Sequence, residues 1–231
     1  MKARKILVMV MALALTAALA VGGTLAYLTS TKTVTNTFTV GNVQIKLDEA
    51  EVNSEGTPID TKRTEVGNSN YHLLPGHTYT KDPTVAILPK SEKSYVRMLV
   101  TVSDIGALKT AIPSFVDKNG VFLLEKLTFN KNGVQTWDST KWQIKDVTTA
   151  TDSATGKNTA TYEFRYYQTV KNDSATDNVS LEPLFTDITV PGTVDNTALA
   201  MLNGINIVVT AQAIQADGFA TADAAWAAFE D

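Results

Sequence analysis

The sequence predicts an all-β protein, a jelly-roll-like antiparallel β-sandwich with a few short helices, preceded by a cleaved signal peptide. Three observations carry this expectation. Apolar and polar residues alternate with period two in one segment after another, the pattern of half-buried strands. Turn residues recur about every ten positions in places, the spacing of a sandwich or jelly roll. Threonine crowds the polar faces of these segments, and its branched Cβ favours extended backbone.

Of the 231 residues, 44% are hydrophobic, enough for one sizeable core. The chain opens with the cations Lys2, Arg4 and Lys5, followed by an uncharged run from Ile6 to Val21 and then Gly22-Gly23. A positive flank, an apolar stretch and a small-residue exit make a secretory signal. The run is shorter than the roughly 20 residues that a membrane-spanning helix needs. Ala26 suits the position before the cut and Thr24 the position two earlier, so the mature chain is expected to begin at Tyr27. The expected organisation is residues 1–26 as signal peptide, 27–40 as an N-terminal strand segment and 41–231 as the β-sandwich. The chain ends in Trp226-Ala-Ala-Phe229-Glu-Asp, without a sorting motif and hydrophobic tail, so release from the cell, or retention outside it by other chains, is expected.

The elements follow in order. Thr33 to Val40 alternates threonine with Val34, Asn36, Phe38 and Val40, and Val43, Ile45 and Leu47 alternate again after Gly41-Asn42. Glu49 to Asn70 is polar and reads as a long surface loop or an irregular hairpin. Leu73-Leu-Pro-Gly76 reads as a turn, with proline at the first central position and glycine free to take positive φ at the second. Strands are expected over Thr84–Leu88, Tyr95–Ser103, Phe122–Leu127, Trp142–Val147, Thr161–Val170, Phe185–Val190 and Ile205–Ile214. In the second of these, Val96, Met98, Val100 and Val102 share one face. Tyr162, Phe164 and Tyr166 share another and read as core packing. Thr148–Asn158 and Asn172–Asn178 read as hairpin tips. Short helices are expected over Ile105–Thr110 and Asn196–Leu202, and a last one capped by Thr221 that docks through Trp226 and Phe229.

Composition narrows the function. The formal net charge is −4, and removal of the three leader cations leaves 17 basic against 24 acidic residues. Such a surface repels phosphate backbones, so nucleic acid is not an expected partner. The absence of cysteine excludes a disulfide framework, thiol catalysis and thiolate metal sites. No H-E-x-x-H helix, nucleophile elbow, phosphate loop or EF-hand pattern is present, so no catalytic residue and no cofactor is assigned. The two histidines, His72 and His77, lie five apart around a Pro-Gly turn. They are the one weak metal candidate, with Asp82 as a third ligand, and otherwise read as solvated loop residues. The acidic stretch Asp146 to Asp152 reads as an ordinary turn rather than a calcium site.

The junction Gly22-Gly-Thr-Leu-Ala-Tyr-Leu28, then Thr33-Val-Thr-Asn-Thr-Phe-Thr-Val-Gly-Asn-Val43 and Ile45-Lys-Leu-Asp48, resembles the TasA/camelysin family of secreted proteins of Gram-positive bacteria. Leu74-Pro-Gly76, Lys81-Asp-Pro83, Tyr95-Val-Arg97 and the ending from Ala213 are similar to the same class, while the middle departs freely. The resemblance implies maturation by a SipW-type signal peptidase, with the membrane met only during export. It implies a secreted subunit of the extracellular or biofilm matrix or cell surface, self-assembly into filaments, and contact with other matrix proteins. It also implies a mechanism: the segment freed by cleavage, Tyr27 to Val40, inserts as a strand into the next subunit, with Leu28, Val34, Phe38 and Val40 filling a groove. Such a head-to-tail contact does not close, so filaments follow. The same strand would also fit folded back on its own domain. Two alternatives stand beside the fibre: a camelysin-like metallo-endopeptidase, which would need a site around His72 and His77, and a monomeric adhesin.

Overall fold

The computed structural model describes residues 41–68 and 71–229. They fall within one compact unit, residues 41–231. Eleven strands and three short α-helices are described. The strands are β1 (Ile45–Val52), β2 (Pro58–Thr64), β3 (Thr78–Thr80), β4 (Thr84–Ile87), β5 (Ser91–Val102), β6 (Trp142–Thr151), β7 (Asn158–Tyr166), β8 (Val170–Asn172), β9 (Val179–Ser180), β10 (Asp187–Thr189) and β11 (Ile207–Gln215). The helices are α1 (Ile105–Ala111), α2 (Asn196–Met201) and α3 (Ala222–Phe229).

All the strand pairs are antiparallel. One sheet has the order β2-β1-β4-β9, and a larger one has the order β11-β5-β7-β6 with β8 also on β5. A short ribbon pairs β10 with β3. The result is the all-β sandwich that the alternation predicts. β5 is its spine: twelve residues long, it pairs with β11 over nine and with β7 over six. Its inward residues Met98, Val100 and Val102 have no exposed surface, and Val96 has almost none. Tyr162 and Phe164 of β7 join them in the core, and Tyr166 packs against it. From β11, Ile207, Val209, Ala211 and Ala213 close the same side, as their spacing predicts.

Several polar groups carried into the core find partners there. Trp142 donates its indole N–H to the Glu182 carbonyl at 2.9 Å, and Tyr162 donates its hydroxyl to the Phe122 carbonyl at 2.8 Å. Asn172 gives its amide to the Ile87 carbonyl at 2.8 Å, tying the end of β8 to the end of β4. The helices begin as expected. Asp104 accepts from the Ala107 N–H at 3.0 Å to cap α1, and Thr221 accepts from the Ala224 N–H at 3.2 Å to cap α3. The predicted turn closes with His77 N–H donating to the Leu74 carbonyl at 3.1 Å, and Gly76 takes φ +74°.

Three expectations need correction. Glu49–Asn70 is no loop throughout: β1 runs on to Val52 and β2 pairs back on it, so the irregular hairpin is the correct alternative. Its outer strand is exposed on both faces, which removes the alternation that marks a strand. Phe122–Leu127 is not a strand. Leu124–Leu127 winds into a 3-10 turn that buries Leu124 and Leu127, while Phe122 makes a single bridge to Val116. A short apolar run is compatible with either state, and here it turns the chain back over the core. The hairpin tip expected over Thr148–Asn158 shrinks to residues 152–157, because β6 and β7 remain paired out to Thr151 and Asn158.

Candidate functional site

The predicted donor residues Leu28, Val34, Phe38 and Val40, and the cleavage residues Thr24, Ala26 and Tyr27, lie outside the described residues. The weak metal candidate lies within them. His72 is exposed, and its backbone is engaged on both sides: its N–H donates to the Ser54 carbonyl at 2.8 Å and its carbonyl accepts from the Tyr79 hydroxyl at 2.6 Å. The His77 ring nitrogen Nε2 sits 2.9 Å from the Glu55 carbonyl, and the ring packs edge-on against Tyr79. Both histidines thus hold the turn between β1 and β2 against β3. Asp82, the proposed third ligand, faces elsewhere: it accepts from the Ala50 N–H at 2.6 Å and from Arg63 Nη1 at 2.8 Å. Among the described residues, no group of three histidine, aspartate or glutamate side chains is placed to hold a metal. The donor set does not fit a zinc site around these histidines.

Asp82 belongs to a charged network on β1, β2 and the segment before β4. Arg63 joins Asp82 to Asp48, and Lys46 reaches both Asp48 and Glu65. Glu49, the next residue along β1, meets Lys81 at 2.7 Å and the side-chain amide of Asn68 at 2.9 Å. Tyr71 lies beside this cluster. Burial, and secondarily the Glu49 charge, hold its phenol well above the usual tyrosine range.

A second network covers the outer face of the large sheet. Arg97 of β5, almost fully buried, donates to Gln212 of β11 at 2.7 Å and to Glu163 of β7 at 3.3 Å. Trp226 of α3 lies over its guanidinium at 4.3 Å, and Phe229 stacks nearby. Arg165 joins Glu163 to Asp223 of α3. Helix α3 is thereby clamped across β5, β7 and β11, beside a groove of about 520 Å³ lined by Lys145, Thr148 and Thr161.

The sheet ends at β11 and β6. β11 reads Ile-Val-Val-Thr-Ala-Gln-Ala-Ile-Gln, without charge, proline or glycine, and its register with β5 is unbroken over nine pairs. Among the described residues no strand pairs with its outer edge. β6 carries Lys145 and Asp146 at its edge, and its register slips between Ile144 and Asp146.

Sequence reasoning assigned no role to Arg97, Glu49 or the β11 edge. An arginine in the apolar run of β5 was the one legible sign of the first. The others depend on pairings that spacing does not reveal.

Residues 2–61 match the family described as camelysin metallo-endopeptidase, the family that includes TasA. No curated protein and no solved structure gives a significant match.

Proposed function

We propose, from the premise that the N-terminal part of this chain belongs to the TasA/camelysin family, that it is a secreted structural subunit of extracellular matrix fibres. After export, a SipW-type signal peptidase removes residues 1–26, and the segment from Tyr27 to Val40 of one subunit adds to the sheet of the next. The single observation that supports this reading is the outer edge of β11. A long edge strand without charge, proline or bulge is a template for pairing with another chain, and soluble proteins ordinarily blunt such edges. An extended segment that adds there gains a ladder of backbone hydrogen bonds, and its alternate side chains reach the two faces. Thr33–Val40 has the matching pattern: Val34, Phe38 and Val40 on one side and threonine on the other. The occupant of the edge is therefore this segment of a second copy, and a filament follows because the contact is head-to-tail.

The family's description favours a second reading, a metallo-endopeptidase. It lacks a ligand set among the described residues, since His77 is taken up by the Glu55 carbonyl and Asp82 by Arg63.

Electron microscopy of the mature chain beginning at Tyr27, beside the same chain lacking residues through Val40, tests the fibre. Filaments from the longer chain alone are the expected result. Filaments from both, or from neither, contradict it. In the second case, chelator-sensitive cleavage of an unfolded protein substrate would move the family's enzymatic label to the front.

A further inference from the structure

We propose that this domain joins Lys81 to Asn68 by an intramolecular isopeptide bond, formed without another enzyme and with Glu49 as the proton carrier. Glu49 comes from β1, Asn68 from the segment after β2, and Lys81 from the position after β3. The two oxygens of the one carboxylate hold the two reactants. Oε2 accepts from Lys81 Nζ at 2.7 Å, and Oε1 accepts from Asn68 Nδ2 at 2.9 Å and from the Asn68 backbone N–H at 3.0 Å. Water is largely excluded, with the Lys81 side chain 12% exposed and that of Glu49 7% exposed.

The Asn68 amide is oriented at both ends. Its Nδ2 donates also to the Ala50 carbonyl at 2.7 Å, and its Oδ1 accepts from the Val52 N–H at 2.9 Å. Those two backbone groups are free to do so because the β1–β2 register breaks between Ala50 and Val52. An ordinary buried ion pair needs only the lysine and the glutamate. Here a primary amide shares the carboxylate, and its carbonyl oxygen points at a backbone donor. That is the arrangement an acyl-transfer step requires: a lysine nucleophile, a proton carrier and a donor at the oxygen where charge develops.

The step balances without any co-reactant. Lys81 passes one proton to Glu49, leaving a neutral amine beside a carboxylic acid. The amine lone pair forms the Nζ–Cγ bond at Asn68, and the carbonyl electrons move onto Oδ1, where the Val52 N–H stabilises them. Glu49 protonates Nδ2 and the Cγ–Nδ2 bond breaks as the carbonyl reforms. Glu49 then takes the surplus proton from Nζ and yields it to the departing ammonia, which leaves as ammonium. One N–C bond is made and one is broken, with no change of oxidation state. The product staples the segment after β2 to the entry of β4, covalently fixing a sheet whose chain has no cysteine to do so.

The test is the intact mass of the purified mature chain with peptide mapping. The expected result is a mass about 17 Da below the sequence value, the ammonia lost. A branched peptide containing both Asn68 and Lys81 is expected with it, together with loss of tryptic cleavage after Lys81. Glu49→Gln, Asn68→Ala and Lys81→Arg each restore the full mass. A succinimide at Asn119-Gly120, Asn132-Gly133 or Asn203-Gly204 loses the same mass, but it persists in Asn68→Ala and links no peptides. Full mass in the unaltered chain, or a deficit that survives Asn68→Ala, overturns the proposal. The map of the unaltered protein decides the matter even where a variant fails to fold.

Discussion

At one end of the large sheet, β11 offers nine uncharged residues in unbroken register, while at the other end β6 carries Lys145 and Asp146 and slips by a residue between Ile144 and Asp146. Both are long, and among the described residues both are unpaired on the outside. β6 is defended by the two devices that keep edges from pairing, charge and a bulge. β11 has neither. It is instead supported from two sides, by the core beneath Val209 and Ala211 and by the Arg97–Gln212 contact under α3 above. The difference teaches that the two edges of one sheet are built differently: one carries charge and a register slip, and the other carries neither.

The largest expected effect comes from reversing that asymmetry. Val208→Lys together with Thr210→Lys places charge on the exposed side of β11, where Val208 is 54% exposed. Filament yield from the mature chain should fall to background by light scattering, with little change in the urea midpoint of the monomer. Thr149→Lys on β6 should leave filaments intact. Equal loss from both would show that the two edges do not differ in function.

A middle-sized effect is expected from removing the support above β11. Arg97→Met leaves Glu163 without one of its two guanidinium partners and takes the cation from beneath Trp226. A loss of about 3 kcal/mol in urea unfolding is expected, because one partner of a buried charged network has gone.

The smallest effect lies at the β6–β7 tip, where Lys157 pairs with Asp104 at 3.0 Å and so ties the hairpin to α1. The Ala107 N–H, then Lys157, hold the Asp104 carboxyl below its ordinary range. A group depressed on folding contributes stability above its unfolded pKa and loses it as pH falls through the folded value. Asp104→Ala should therefore cost about 1 kcal/mol at neutral pH and progressively less in acid, as measured by denaturation at several pH values.

Much of the sandwich was legible because its central strands are buried on one face. Val96 to Val102 and Ile205 to Ala213 state their inward sides by alternation alone. β2 was not legible, since an edge strand exposed on both sides has no alternation to show, and Leu124–Leu127 was not, since its few apolar residues suit a strand as well as a tight turn. The candidate sites were less legible still. Glu49 and Lys81 are 32 positions apart and meet only because β1 lies between β2 and β4. His72 and His77 read as loop histidines with a metal site only as a weak candidate, and the Glu55 carbonyl that His77 meets is not visible in sequence.

The central claim is that the freed N-terminal segment of one copy lies along β11 of another. The absence of native cysteine makes a direct measurement clean. Mature chains carrying Thr37→Cys, on the threonine side of the donated strand, are mixed with chains carrying Thr210→Cys, on the exposed side of β11, under mild oxidation and read on a non-reducing gel. A mixed dimer that neither variant forms alone is the predicted result. No mixed dimer, together with rapid closure to a disulfide-bonded monomer when both substitutions are in one chain, would mean that the strand folds back on its own domain.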